Sequence, residues 1–468
     1  MSDSLIFSIS GVRGVVGKAL TPELAARYAA AFGWLVSGGK PGAVVVLGRD
    51  SRPSGDMFSA AAASGLQSVG CEVIDCGLVP TPTVQLAVEH HGAAGGIVVT
   101  ASHNPPEWNA LKLVGSDGVF LDADQGDKIK ELVRDGEGQG VPRVAWDRVG
   151  ARRFDGEASK RHIEAVAGLG LLDVERIRSR RFKVALDGVR GAAGQVVKEL
   201  LEVLGCEVRG LDLEPDGRFP RPPEPLPENL GALGQLVRDS GADLGMALDP
   251  DGDRLALVDE GGRPIGEDYT LAFAVRAVLG KAQGRLAPVV CNLSTSLVVE
   301  DAARQFGAAV ERVPVGEAHV ARGMRRAGSI VGGEGNGGVI LSSLHLGRDA
   351  LVAAALVLDL LAATGKTVGA LVEIAPRYVI VKRKVSREGS LEQVYRVLEE
   401  RFSGAVLDRR DGLRVAWRDR WLHVRPSGTE PVVRLIAEAP SEREALDLLE
   451  AAYSALGKQK GAVSTCAG

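Results

Sequence analysis

The sequence predicts an α/β protein in which three related mixed α/β domains precede a smaller α+β C-terminal domain. Three observations carry the prediction. At 468 residues the chain is too long for one hydrophobic core, so several domains are expected. A strand–helix–strand–helix–strand pattern recurs three times, and each recurrence ends in a loop of unusual composition. After about Ile374 the texture shifts to closely spaced strands with one intervening helix.

In the first unit, Ala43–Leu47 is a β-branched strand ending at Gly48-Arg49-Asp50. A helix over Met57–Ser68, a strand over Cys71–Asp75 and a helix over Val84–His90 follow. Gly95-Gly96 then opens the apolar strand Ile97-Val98-Val99, which runs into Thr100-Ala101-Ser102-His103-Asn104-Pro105-Pro106. The two prolines forbid an immediate helix and hold Asn104 extended, so Ser102 sits on a stiff loop at a strand's carboxyl end. That is where ligands bind in open α/β sheets.

The second unit has strands over Phe182–Leu186, Glu207–Leu211 and Leu244–Leu248. Helices over Gln195–Leu204 and Leu230–Ser240 separate them, with a proline-rich stretch, Pro220–Pro227, before the second. The third unit repeats the series with strands over Pro288–Asn292, Ala309–Val313 and Ser329–Val331. Such alternation predicts mainly parallel sheets. In the last domain YVIVKRKV, LRVAW, WLHV and VVRLIAEA read as strands, and Leu391–Phe402 as a helix.

Each unit ends in a loop with its own chemistry. Asp249-Pro250-Asp251-Gly252-Asp253-Arg254 brings three carboxylates together at alternate positions, an oxygen-rich site for one hard divalent cation. An EF-hand is excluded because Arg254 occupies the sixth position and Leu255–Val258 continues as an apolar strand. Gly332-Gly333-Glu334-Gly335-Asn336-Gly337-Gly338 contains a G-x-G-x-x-G match, but the apolar strand-like Val339-Ile340-Leu341 follows instead of a helix. What remains is Glu334 and Asn336, an acceptor and an amide suited to vicinal sugar hydroxyls. In the last domain Arg425-Pro426-Ser427-Gly428-Thr429-Glu430-Pro431, with Arg434 on the next strand, has the guanidinium and hydroxyl donors of a phosphate anchor. Arg13 between two glycines, and Arg49 and Arg52, are weaker signals.

Composition excludes several classes. The formal net charge of −4 and the lack of a Lys/Arg block argue against nucleic-acid or membrane-surface partners. Five cysteines without a CxxC pair predict reduced thiols and a cytoplasmic location, not a disulfide frame or zinc site. No signal peptide is expected from the N-terminus. The apolar stretch Ala350–Thr364 is interrupted by Asp359 and is too short for a bilayer.

TASHNP, DPDGDR, GGEGNGG and RPSGTEP, in this order, resemble the four signature loops of the α-D-phosphohexomutase superfamily. The resemblance covers essentially the whole chain and implies four domains around a central cleft. Laid on the repeats, it divides the chain into 1–152, 153–257, 258–371 and 372–468. It implies a Mg²⁺-dependent isomerase that interconverts hexose 6-phosphate and hexose 1-phosphate through a phosphoserine at Ser102 and a hexose bisphosphate, which serves as intermediate and activator. One Mg²⁺ per chain would be held by Asp249, Asp251, Asp253 and the phosphorylated Ser102. Arg13, His103 and Lys112 would surround the phosphoryl group, the last two in acid/base or charge-stabilising roles. Glu334 and Asn336 would grip sugar hydroxyls, and Arg425, Ser427, Gly428, Thr429 and Arg434 the distal phosphate.

Pro314-Val315-Gly316-Glu317 resembles the VGD loop of phosphoglucosamine mutases, which makes Gly316 and Glu317 substrate-binding candidates and glucosamine phosphate the first substrate expectation. Ala318, His319, Asn336 and Gly338 depart from the common bacterial patterns, so phosphomannomutase/phosphoglucomutase activity stays open as the alternative. A phosphatase and a sugar-phosphate sensor without turnover are more distant readings. The partners expected are small hexose phosphates, on a monomer or homodimer.

Overall fold

The computed structural model describes residues 5–8, 11–134, 141–284, 286–386, 390–427 and 432–457. Three of its four sheets share one four-strand arrangement. In the first, Val44–Arg49 lies between parallel neighbours Glu72–Leu78 and Gly95–Val99, and Trp108–Gly115 runs antiparallel beside Gly95–Val99. The second places Lys183–Asp187 between Glu207–Leu211 and Leu244–Leu248, with Leu255–Val258 antiparallel at the edge. In the third, Val289–Asn292 lies between Val310–Val313 and Val331–Glu334, with Gly338–Leu341 antiparallel. The first sheet is extended to seven strands by Ile6–Ser8 and Gly11–Val15 at one edge and Arg152–Phe154 at the other.

The expectation of mainly parallel sheets holds for three neighbouring strands of each unit, and an antiparallel fourth strand makes each sheet mixed. In every unit the third strand turns back as a hairpin, and the chemically marked loop is that turn. Alternation of strands with helices reveals parallel crossovers but is silent about a short return strand such as WNALKLVG, whose Asn109 and Lys112 interrupt the apolar run. The third unit also differs in detail. Its third strand is Val331–Glu334, two residues later than Ser329–Val331, because the glycines themselves pair in the sheet.

The fourth sheet has five antiparallel strands in the order Val379–Ser386, Val432–Ala439, Trp421–Pro426, Leu413–Ala416, Val406–Asp408. Glu392–Arg401 and Glu442–Ala455 are its helices. The helix Ala350–Thr364 is buried from Ala350 to Ala362, because it fills the core shared by the second and third units. Asp359 is tolerated there because its carboxylate accepts from the Asp173 N–H and pairs with Lys281. Among the described residues, no helix is long and apolar enough to cross a membrane. Cys71, Cys76, Cys206 and Cys291 are buried and unpaired, and burial pushes Cys71 up to about 11 and Cys76 and Cys206 up to about 12. Cys466 lies outside the described residues.

The three repeated units meet at a buried polar joint. Asp349 caps the Ala350 helix through Oδ1, while its Oδ2 lies 2.8 Å from His162 Nε2 and 3.1 Å from His345 Nε2. His162 Nδ1 reaches Thr83 Oγ1 at 2.9 Å, and His345 Nδ1 accepts from the Gly347 N–H. With His345 Nδ1 accepting from the Gly347 N–H, the three atoms that could gather a metal ion, His162 Nε2, His345 Nε2 and Asp349 Oδ2, are engaged with one another. Burial alone would raise the Asp349 carboxyl, but His162 and His345 hold it below the ordinary carboxylate range. A depressed folded-state pKa contributes stability above the unfolded value of about 3.9 that is lost as pH falls through the folded one. Asp349→Asn should therefore cost about 3 kcal/mol at neutral pH, the scale for breaking a buried pair, and flatten the acid limb of stability. Urea unfolding of both proteins between neutral and acidic pH checks this, and parallel acid limbs would contradict it.

Candidate active site

Ser102 stands in the first hairpin turn with φ of 48°, in the left-handed region that a serine adopts only under constraint. Its N–H donates to Thr100 Oγ1, and Thr100 in turn donates to Asp50. The main constraint is Arg52. Its five guanidinium hydrogens meet the Asp50 carboxylate and the carbonyls of Ser102, Asn104, Pro105 and Trp108, at 2.6 to 3.0 Å. With its side chain fully buried, Arg52 acts as a clamp on the whole loop.

The serine hydroxyl donates to Asp249 Oδ2 at 3.0 Å, and His103 Nδ1 lies 3.3 Å from Ser102 Oγ. Arg13, on the strand Gly11–Val15, donates to Asn104 Oδ1 at 2.8 Å and so borders the loop. Burial, with Arg254 next, pushes His103 well below its ordinary pKa.

The acidic turn fits a divalent cation. Lys112, placed on the return strand of the first hairpin, donates to Asp251 Oδ2 at 2.6 Å and lies 3.5 Å from Asp253 Oδ2. Thr81 also donates to Asp251 Oδ2, and Arg348 donates to Asp253 Oδ2. Each carboxylate is thus pinned by one oxygen. The other oxygens, Asp251 Oδ1 and Asp253 Oδ1, are buried and have no hydrogen-bond partner among the described residues. Buried polar atoms without partners are rare, and two from one turn mark a place for a hard cation. Burial, then Asp253 and Asp251, pushes the Asp249 carboxyl well above its ordinary value. Burial would raise Asp251 too, but Lys112 and Thr81 hold it below. Burial also opposes the Lys112 charge, yet Asp251 and Asp253 raise its pKa.

In the glycine-rich turn Glu334 ends a strand and is buried. Its Oε1 accepts from Asn292 Nδ2 and the Gly316 N–H, and its Oε2 from Arg348. Asn336 Oδ1 accepts from the Gly338 N–H at 3.3 Å. Glu317 begins the helix Glu317–Ala327, with one oxygen facing Gln85 Nε2 and the other Arg348 Nε. The structure therefore gathers Glu317 and Glu334 around one guanidinium, with the Gly316 N–H on Glu334.

On the fourth sheet Lys384, Arg434 and Arg425 are directly opposed across three neighbouring strands. Opposed like charges are unfavourable by themselves and suit an anion. Asp411 offsets part of this row by accepting from Arg425 Nε, and the same oxygen accepts from the Val315 N–H beside the third sheet. Ser427 begins the turn, its N–H donating to the Val432 carbonyl. Gly428 and Thr429 lie outside the described residues.

Sequence reading passed over Arg348, Arg254 and Glu224 and left Arg52 as a weak signal. Arg254 Nη1 donates to Glu224 Oε1 at 3.0 Å, and Arg254 lies close to Asp249 and Asp253. Arg254 was legible in DPDGDR. Arg348 had no local signal, since its partners come from three separate loops.

Comparison with known proteins agrees with this architecture. "Phosphoglucomutase/phosphomannomutase, alpha/beta/alpha" domains I, II and III match residues 4–139, 160–262 and 266–378, and the family's C-terminal domain matches 380–455. A Thermococcus kodakarensis protein named "Phosphoglucomutase/phosphomannomutase" is 39% identical over 449 residues, covering 95% of this chain and 97% of its own. A Methanopyrus kandleri protein named "Probable phosphoglucosamine mutase" is 39% identical over 447 residues, covering 94% and 95%. The crystal structure of a phosphoglucomutase/phosphomannomutase family protein from Burkholderia thailandensis has a TM-score of 0.84 at 30% identity, covering 97% of each chain. The chain belongs to the phosphoglucomutase/phosphomannomutase family of α-D-phosphohexomutases and is an isomerase.

Proposed function

We propose that this phosphohexomutase interconverts hexose 6-phosphate and hexose 1-phosphate through a phosphoserine at Ser102, with Mg²⁺ at Asp249, Asp251 and Asp253. The observation that carries the reading is the Ser102 hydroxyl 3.0 Å from Asp249, beside two buried, unpartnered aspartate oxygens. Bound there, Mg²⁺ would supply positive charge to a phosphoryl group in transfer.

Transfer breaks the Ser102 Oγ–P bond and forms a bond from a sugar hydroxyl oxygen to phosphorus, giving a hexose bisphosphate. The hydroxyl proton leaves to His103, whose Nδ1 stands beside Oγ and hands it on to Oγ as that oxygen departs, and the return step runs the same proton path in reverse. Lys112, tied to Asp251 and Asp253, holds charge at the centre. After the bisphosphate turns end for end, its other phosphoryl group returns to Ser102 Oγ and the product leaves. Arg425, Ser427, Gly428, Thr429 and Arg434 hold whichever phosphate is idle, while Asn336, Glu334 and the Gly316–Glu317 turn face the sugar.

Glucosamine phosphate is the preferred substrate in this reading, because Val315-Gly316-Glu317 resembles the VGD loop of phosphoglucosamine mutases and relatives 37–39% identical are named "Probable phosphoglucosamine mutase". The engagement of both Glu317 oxygens by Gln85 and Arg348 favours a second reading, a broad phosphoglucomutase/phosphomannomutase. A coupled assay with Mg²⁺ and a trace of hexose bisphosphate, comparing glucosamine, glucose and mannose phosphates, separates them. The expected result is a kcat/KM advantage of about tenfold for glucosamine phosphate, roughly 1.4 kcal/mol of discrimination. Equal rates on all three sugars would establish the broad activity, and no turnover of any would sink the reading.

A further inference from the structure

We propose that Arg348 is a positioning residue. One guanidinium holds Asp253 of the acidic turn, Glu334 of the glycine-rich turn and Glu317 of the Gly316–Glu317 turn in a single array, and its charge limits how tightly the acidic turn binds a divalent cation. This rests on the reading of Asp249, Asp251 and Asp253 as a cation site.

The geometry is specific. Nη2 donates to Asp253 Oδ2, Nη1 to Glu334 Oε2 at 2.6 Å and Nε to Glu317 Oε2 at 3.0 Å. The Arg348 N–H also donates to Glu317 Oε1 at 3.3 Å. All four side chains are nearly excluded from solvent. Three carboxylates buried together would repel one another, and a planar fork is the side chain that can bind three at fixed angles. Burial opposes the guanidinium charge, but Asp253, Glu334 and Glu317 raise its pKa well above the ordinary value.

Two neighbours build the seat for this arginine. Asp349, the next residue, is locked as a helix cap and into the histidine joint. Gly338 leaves the space in which the arginine stem lies, and a Cβ there would stand 2.2 Å from Arg348 Cδ. By pinning Asp253 Oδ2, Arg348 leaves Oδ1 buried without a hydrogen-bond partner, 3.6 Å from Arg254 Nε. Its positive charge and a bound cation then act on the same carboxylate with opposite effects on binding. Removing the charge deepens the negative potential of the turn. Removing only the fork leaves that potential but frees Glu334 and Glu317 from Asp253.

The test uses the full chain with Mn²⁺ as probe, titrated by calorimetry, and KM for the best hexose phosphate. Arg348→Met should bind Mn²⁺ about tenfold tighter or more, because a unit charge acts strongly at short range in a buried site. Arg348→Lys should keep Mn²⁺ affinity within about threefold, since the charge remains, while KM rises about tenfold because one ammonium cannot span three carboxylates. Gly338→Ala, which displaces the stem and keeps every charge, should also raise KM.

Mn²⁺ binding by Arg348→Met no tighter than by the unaltered protein, or an unchanged KM in Arg348→Lys, would overturn the proposal. Should Arg348→Met fail to fold, Arg348→Lys and Gly338→Ala decide: raised KM in both supports the array, and unaltered KM in both overturns it. Absence of saturable Mn²⁺ binding in the unaltered protein overturns the cation site itself, and the proposal with it. If no hexose phosphate is turned over, the mutase reading fails while the Mn²⁺ arm still decides the charge effect.

Discussion

Ser102→Ala is expected to reduce mutase turnover on the order of 10⁴-fold or more, the scale for losing a covalent nucleophile. The methyl group cannot carry a phosphoryl group, and among the described residues no other hydroxyl donates to Asp249. Intact-protein mass spectrometry after incubation with a hexose bisphosphate should show one added phosphoryl group on the unaltered chain and none on the variant. Because Ser102 adopts φ of 48°, alanine inherits the backbone strain, and Ser102→Gly serves as a control that relieves it. Both variants should fold and both should be inactive. Turnover by Ser102→Gly near the unaltered rate would remove Ser102 as the carrier.

The second large effect is expected at Arg52, and it separates support of the loop from chemistry on it. Arg52→Met would leave the buried Asp50 carboxylate without its cation and remove one donor from each of four carbonyls. Breaking a buried charge pair costs about 3–5 kcal/mol, and the lost carbonyl bonds add to that. Urea unfolding should show the loss directly. Turnover should fall even where the protein remains folded, because Ser102 is no longer held in its left-handed conformation. Arg52→Lys should rescue little, since an ammonium has three donors in place of five. Stability within about 0.5 kcal/mol of the unaltered protein, the range of an ordinary surface substitution, would show that the clamp does not support the loop.

Much of the site was legible because its groups are local in sequence. Three aspartates at alternate positions around Gly252 must converge whatever surrounds them, and the turn they form is the one observed. The serine loop was likewise readable from a β-branched strand followed by two prolines. Local patterns could not join one loop to another. Lys112 and Asp251 are 139 positions apart, and Ser102 and Asp249 are 147 apart, so their contacts exist only once separate sheets meet, and only the family resemblance put them in one site beforehand.

Arg348 and Arg52 show the same limit more sharply. A lone arginine between glycine and aspartate, or in a short polar run, has the sequence character of a surface residue. Burial makes each one a structural centre, because a desolvated guanidinium must satisfy its donors and recruits whatever carboxylates and carbonyls the fold brings to it. The sheets divide along the same line. Alternating strands and helices announced three repeated units, whereas the antiparallel return strand in each needed the folded chain to be seen.

By itself, then, the sequence determined the α/β class, the three repeats, the smaller last domain and the four chemically marked loops, since these depend on local composition and periodicity. Tertiary structure alone decided which oxygens of the aspartates are pinned and which are left without a hydrogen-bond partner, that Glu317 points at an arginine, and that a histidine–aspartate joint ties three units together. The physical reason is that hydrogen-bond pairing in a water-poor interior is set by proximity across the fold, and proximity of that kind has no signature in the order of residues.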